Sequence, residues 1–143
     1  MRQAEIEGLQ AALRAEHSAI WGYGIVGASV GPETRQAVRD VDAAHRVARD
    51  ELADLIRLRR VDPDSAEVSY ELPFPVADPA GGLQLAAFLE AGVAKAYPFA
   101  ISQAVSQRAK AFSLSALVDA ALRQTTWRQL SGSTPLSPEF PGL

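Results

Sequence analysis

A chain of 143 residues, 48% apolar and 22% charged, has the size and composition of one ordinary globular domain with a real core. Its net charge of −3 argues against a nucleic-acid binder, and the lack of cysteine excludes disulfides, thiol catalysis and cysteine-ligated zinc. The start of the sequence lacks the apolar core of a signal peptide. No apolar run reaches the roughly 18 residues of a membrane span, so a cytoplasmic protein without membrane contact is expected.

Apolar periodicity predicts four helices. The first runs from about Gln3 to Ala28, with Leu9, Leu13, Glu16, Ile20, Tyr23 and Gly27 on one stripe. Glu16 thus falls in an inward-facing row. Gly22, Gly24 and Gly27 each weaken this helix by roughly 1 kcal/mol relative to Ala, a cost that close packing must offset. Gly31-Pro32-Glu33 ends the first helix and starts the second. The second runs from about Pro32 to Arg60, with the stripe Val38, Val41, His45, Ala48, Leu52 and Leu55, and with Asp42 beside the seam.

Pro63, Pro73 and Pro75 forbid a helix across residues 61–78, and Val68–Phe74 reads as extended chain. So long a link makes sense if the third helix must start at the same end of a bundle as the second. Asp78-Pro79 caps a third helix running from about Pro79 to Ser102. Its stripe is Leu83, Ala86, Glu90, Val93, Tyr97 and Ile101, with a kink expected at Pro98. The fourth helix is expected from about Ser106 to Leu130, with Ala111, Ser115, Val118, Leu122 and Thr125 inward. Residues 131–143, with Pro135, Pro138 and Pro141, form an extended tail. The expected fold is all-α: an up-down four-helix bundle over residues 1–130 with one long crossover between helices 2 and 3.

The polar residues on the inward stripes are Glu16, His45 and Glu90. Asp42-x-x-His45 places two ligand-type side chains on one helical face. Asp119-x-x-Leu122 repeats the spacing with leucine at the fourth position. Glu16 precedes Asp42 and Glu90 precedes Asp119 by similar intervals, as in a pseudo-repeat. This arrangement resembles the ferritin-like superfamily, whose bundles build dinuclear metal sites from a lone Glu on one helix and Glu-x-x-His on the next. More narrowly, Glu16-His17…Tyr23-Gly24, Asp42-Ala43-Ala44-His45-Arg46 and Trp127-Arg128…Phe140-Pro141-Gly142 resemble an actinobacterial ferritin-like group of unknown function.

The resemblance implies Glu16, Asp42 and His45 on one metal, with Glu90 and Asp119 on a second or bridging the pair. Oxygen and imidazole donors suit iron or manganese and also accept zinc. Here Asp replaces Glu in both motifs, and Leu122 stands where a second histidine belongs. The expectation is therefore a non-catalytic or metal-lost bundle without cofactor, in which these residues form a satisfied hydrogen-bonded set neutralised by Arg46, Arg49 or Arg128. The alternative is a carboxylate-bridged di-iron or di-manganese oxidoreductase acting on oxygen or peroxide. Ala- and Gly-rich faces on the first two helices suggest a homodimer. A small-ligand pocket in the bundle centre, walled by Tyr23 and Tyr97, is a third reading. His17 points away from Glu16 and reads as a half-exposed or interface residue. Trp21, Tyr23, Tyr97 and Trp127 read as core and interface aromatics. No serine has a His-acid partner set, and no glycine cluster has phosphate-loop spacing.

Overall fold

The computed structural model describes residues 2–132, so the predicted tail from residue 133 onward lies outside the described residues. Four helices account for most of them: α1 (Arg2–Ser29), α2 (Pro32–Arg57), α3 (Pro79–Gln103) and α4 (Gln107–Ser131). There is no strand among the described residues. The fold is an all-α four-helix bundle.

The helix ends follow local chemistry. Pro32 opens α2 directly after Gly31. Asp78 caps α3 by accepting from the Gly81 amide at 2.8 Å, ahead of Pro79 in the first turn. Ser106 caps α4 by accepting from the Ala109 amide at 3.1 Å, and Gly132 closes it with a left-handed φ of 75°. α3 runs through Pro98 to Gln103, although proline gives the Ala94 carbonyl no in-helix donor.

Topology follows from which ends meet. Gly82, in the first turn of α3, lies against Ser29 and Val30 at the end of α1. Glu5, in the first turn of α1, accepts from the Val105 and Ser106 amides at 2.5 and 2.8 Å, between α3 and α4. Hence α1 and α3 are antiparallel, and the crossover runs the length of the bundle. That segment is pinned to α1. The Gln10 amide donates to the Asp62 carbonyl at 2.9 Å and accepts from the Asp64 amide at 2.8 Å. His17 Nε2 lies 2.9 Å from the Asp64 carbonyl, and Trp21 contacts Tyr70.

The packing is unequal around the bundle. α1 packs on both α2 and α3, and α3 packs on α4. α2 and α4 lack comparable backbone packing and are bridged by Arg108 on Glu51 at 2.9 Å. The core comprises Leu9, Leu13, Tyr23, Leu52, Ile56, Leu85, Val93 and Tyr97, with smaller residues between them. α4 corrects the sequence expectation. Ala109, Ser113, Ala116, Ala120, Gln124 and Trp127 are its buried residues, whereas Ala111, Ser115, Val118 and Leu122 are exposed, Leu122 by 62%. Small side chains are what let α4 approach α3 closely, so the row that looks more apolar faces outward.

Two glycines in α1 separate packing from propensity. A Cβ at Gly8 would lie 2.9 Å from the Ala100 Cα, a backbone contact that cannot yield, whereas a Cβ at Gly24 meets nothing within 4 Å. Gly8→Ala should therefore destabilise by about 1–3 kcal/mol. Gly24→Ala should stabilise by about 0.5–1 kcal/mol. Urea unfolding of the two variants beside the parent checks both signs.

Candidate functional site

Three of the sequence-predicted residues meet in the middle of the bundle. Glu16 of α1, His45 of α2 and Glu90 of α3 are 1%, 0% and 0% exposed. His45 lies between the two carboxylates, with Nδ1 2.5 Å from Glu16 Oε2 and Nε2 2.7 Å from Glu90 Oε2. The outer partners complete the set. Tyr97 donates to Glu16 Oε1 at 2.6 Å, and Tyr23 donates to Glu90 Oε2 while its ring stacks on His45. Trp127 Nε1 donates to the Tyr23 hydroxyl at 3.0 Å. Arg123 Nε donates to Glu90 Oε1 at 2.8 Å. All four helices thus contribute to one continuous hydrogen-bonded chain from Trp127 to Tyr97.

The electrostatics follow from this geometry. Burial disfavours the charged imidazole, but the two carboxylates outweigh it and raise His45 to about 9. At neutral pH the ring is therefore an imidazolium that donates from both nitrogens. Burial also pushes the Glu90 carboxyl up, yet its hydrogen bond to His45, the charges of His45 and Arg123 and the Tyr23 hydroxyl bring it below its ordinary value. Burial and the neighbouring glutamates push the Tyr23 and Tyr97 phenols well up, so both remain protonated donors. Two carboxylates face two cations, His45 and Arg123.

The remaining predicted ligands lie elsewhere. Asp42 is half-buried and pairs with Arg46, one turn on, at 3.0 Å; its Oδ1 is buried without a hydrogen-bond partner. Asp119 is exposed on α4, and Leu122 points outward beside it rather than into the core. Among the described residues no group of three or more His, Asp and Glu side chains is arranged to hold a metal ion. Glu16, His45 and Glu90 converge on one another's hydrogen bonds rather than on a shared empty point.

Sequence reasoning missed two charged residues. Arg123 supplies the neutralising charge expected from Arg46, Arg49 or Arg128. Arg46 and Arg49 pair with Asp42 and Asp50 instead. The signal for Arg123 was its position four residues before Trp127, one helical turn. Glu5 was the other; it continues the Leu9–Leu13–Glu16 stripe back by one turn and binds Arg59 at 2.5 Å. Burial raises its carboxyl, but the Ser106 and Val105 amides and Arg59 outweigh that and lower it.

Above the network, the α2/α4 seam opens into a groove of about 280 Å³, lined by Ala48, Phe112, Ala116 and Asp119 with Glu16 and Arg123 at its base. Val47 of α2 and Leu114, Val118 and Leu122 of α4 are exposed on these two helices.

Residues 8–143 match the family described as a domain of unknown function, DUF4439. The chain belongs to this family. Its structure is similar to the crystal structure of a conserved hypothetical protein, rv2844, from Mycobacterium tuberculosis, with a TM-score of 0.87 and 31% sequence identity. That match covers 90% of this chain and 97% of the other. No curated protein matches the chain. Among the described residues of this DUF4439 member, no helix is long and apolar enough to cross a membrane.

The raised His45 value fixes the sign of a pH dependence. Stability from the imidazolium is fully present below the unfolded-state value of about 6.5 and is lost as pH rises through about 9. Unfolding free energy should fall across that window by up to about 1.4 kcal/mol per pH unit. In His45→Gln the slope should flatten. Removing the cation between two buried carboxylates should also cost about 3–5 kcal/mol near neutral pH. Denaturant titrations of both proteins at pH 6.5, 8 and 9.5 read the two effects together.

Proposed function

We propose that this chain is a ferritin-like bundle that has given up its dinuclear metal site, is non-catalytic, and self-associates through its open α2/α4 face. The observation that carries the first part is the state of His45. An imidazole ligand must offer a nitrogen lone pair, whereas both His45 nitrogens are already engaged, by Glu16 at 2.5 Å and Glu90 at 2.7 Å. Arg123 adds a fixed positive charge on Glu90, where a divalent cation would have to sit. Asp42, needed to complete the ligand count, pairs with Arg46, and Asp119 is exposed on the wall of the α2/α4 groove. The residues present therefore do not fit a carboxylate-bridged pair of iron or manganese ions. The long link between α2 and α3 supports the ferritin-like connectivity.

The self-association reading rests on the seam that α2 and α4 leave open. Four large apolar side chains, Val47, Leu114, Val118 and Leu122, are about half-exposed or more on these two helices of one molecule. Of these, Val47 lines the α2/α4 groove itself, and large exposed apolar surface of this kind marks association sites. Covering it with a second copy would close a side of the bundle that, among the described residues, lacks comparable helix–helix packing.

Two measurements test the halves separately. Protein loaded anaerobically with iron or manganese, then desalted, should carry no more metal by plasma mass spectrometry than a Glu16→Ala/His45→Ala control. Near-stoichiometric metal lost in that control would overturn the metal-lost reading in favour of an oxidoreductase acting on oxygen or peroxide. In sedimentation velocity at micromolar concentration the protein should run as a dimer. A Val47→Asp/Leu122→Asp double variant should run as a monomer with unchanged helicity, and a monomeric parent would overturn self-association.

A further inference from the structure

On the opposite flank of α4 a second pocket, of about 300 Å³, lies between the crossover, α3 and α4. Phe74 of the crossover and Phe88 of α3 form its aromatic wall, with rings edge-on at 6.2 Å. Ala87 and Ala91 extend the apolar surface, and Gln84, Gln124 and Arg128 supply the polar groups. Phe74 sits between Pro73 and Pro75, which restrict the backbone that presents it.

The polar groups of this pocket lack partners. Arg128 Nε is buried with no acceptor among the described residues. The Gln124 side chain is 5% exposed and makes no hydrogen bond to any described residue. No described aspartate or glutamate lines the pocket. A guanidinium is always charged and must be matched where it is desolvated, and the Gln124 amide has donor and acceptor capacity left over. The pocket therefore presents one unneutralised cation and one spare amide next to an aromatic wall.

We propose that this pocket binds a small aryl carboxylate. The planar, singly charged carboxylate matches the planar fork of one guanidinium. A phosphate dianion would bring a second charge for which the lining holds no second cation. The Gln124 amide donates to the same carboxylate, and the aryl ring packs against Phe74 and Phe88. The volume is adequate, since a cavity of roughly 150 Å³ suffices for benzene.

An amide NMR titration of the full chain with phenylacetate, 2-phenylethanol and phenyl phosphate tests this. Phenylacetate should give saturable shifts centred on Phe88, Gln124 and Arg128, and 2-phenylethanol should bind at least about tenfold more weakly. Arg128→Gln should weaken phenylacetate about tenfold or more, and Gln124→Leu and Phe88→Ala several-fold, with helicity unchanged. No saturable shift up to about 10 mM phenylacetate, or full affinity in Arg128→Gln, would overturn the site. Equal binding of 2-phenylethanol would overturn the role of charge, and tighter binding of phenyl phosphate would overturn the carboxylate.

Discussion

Everything in the centre of this bundle depends on one cation, the His45 imidazolium, held between Glu16 and Glu90. Each carboxylate, taken alone, would be a buried charge with an uncompensated desolvation cost of several kcal/mol. The ring supplies two donors in opposite directions, so one residue of α2 satisfies α1 and α3 together. The phenols of Tyr23 and Tyr97 then take the remaining positions, and Arg123 brings α4 into the same set. The partners are mutually required. Any one of them left out would strand a buried polar atom, which makes the set cooperative rather than a sum of pairs.

This cooperativity explains why the bundle tolerates an open side. In an ordinary four-helix bundle, α2 and α4 would hold each other by interdigitating apolar side chains. Here they are joined through the middle of the molecule instead. His45 on α2 and Arg123 on α4 both bind Glu90, from opposite sides of its carboxylate. The seam above is then free to remain a groove, with Glu51 and Arg108 bridging it as well. The inward face of α4 needs little apolar bulk, which agrees with its row of Ala109, Ala116 and Ala120.

The legibility of the sequence follows the same division. Helix positions, the cap at Asp78 and the long crossover were readable, because proline, glycine and capping residues act locally. Glu16, His45 and Glu90 were readable because a polar residue on an otherwise apolar stripe must enter the core. Asp42 misled for a geometric reason. Three residues before His45, it shares a side of the helix but not the line of the core, and its short side chain reaches Arg46 instead. The outward row of α4 misled for an energetic one. Leu122 and Val118 exceed Ala120 and Ala116 in hydrophobicity, yet close approach to α3 selects for small volume over apolar area. Pattern reading weighs the second quantity and cannot see the first. Arg123 and Glu5 were hidden because charge on a helix is ordinarily solvated, and only their tertiary partners reveal them as buried.

The same physics underlies the proposal that this centre differs from a metal site built on similar residues. A divalent ion between Glu16 and Glu90 would do electrostatically what His45 and Arg123 do now: bring two positive charges to two buried carboxylates. The protein already carries both charges covalently, so an incoming ion would have to expel a proton from a ring that holds it up to about pH 9 and would meet the guanidinium beside it. A second histidine at position 122 would not change this, because that position faces outward in α4. A bundle can thus keep the glutamates and histidine of a ligand set while substituting internal cations for metal ions. On the metal-lost reading proposed above, the mark of that substitution is the arginine on the fourth helix rather than the loss of any one ligand.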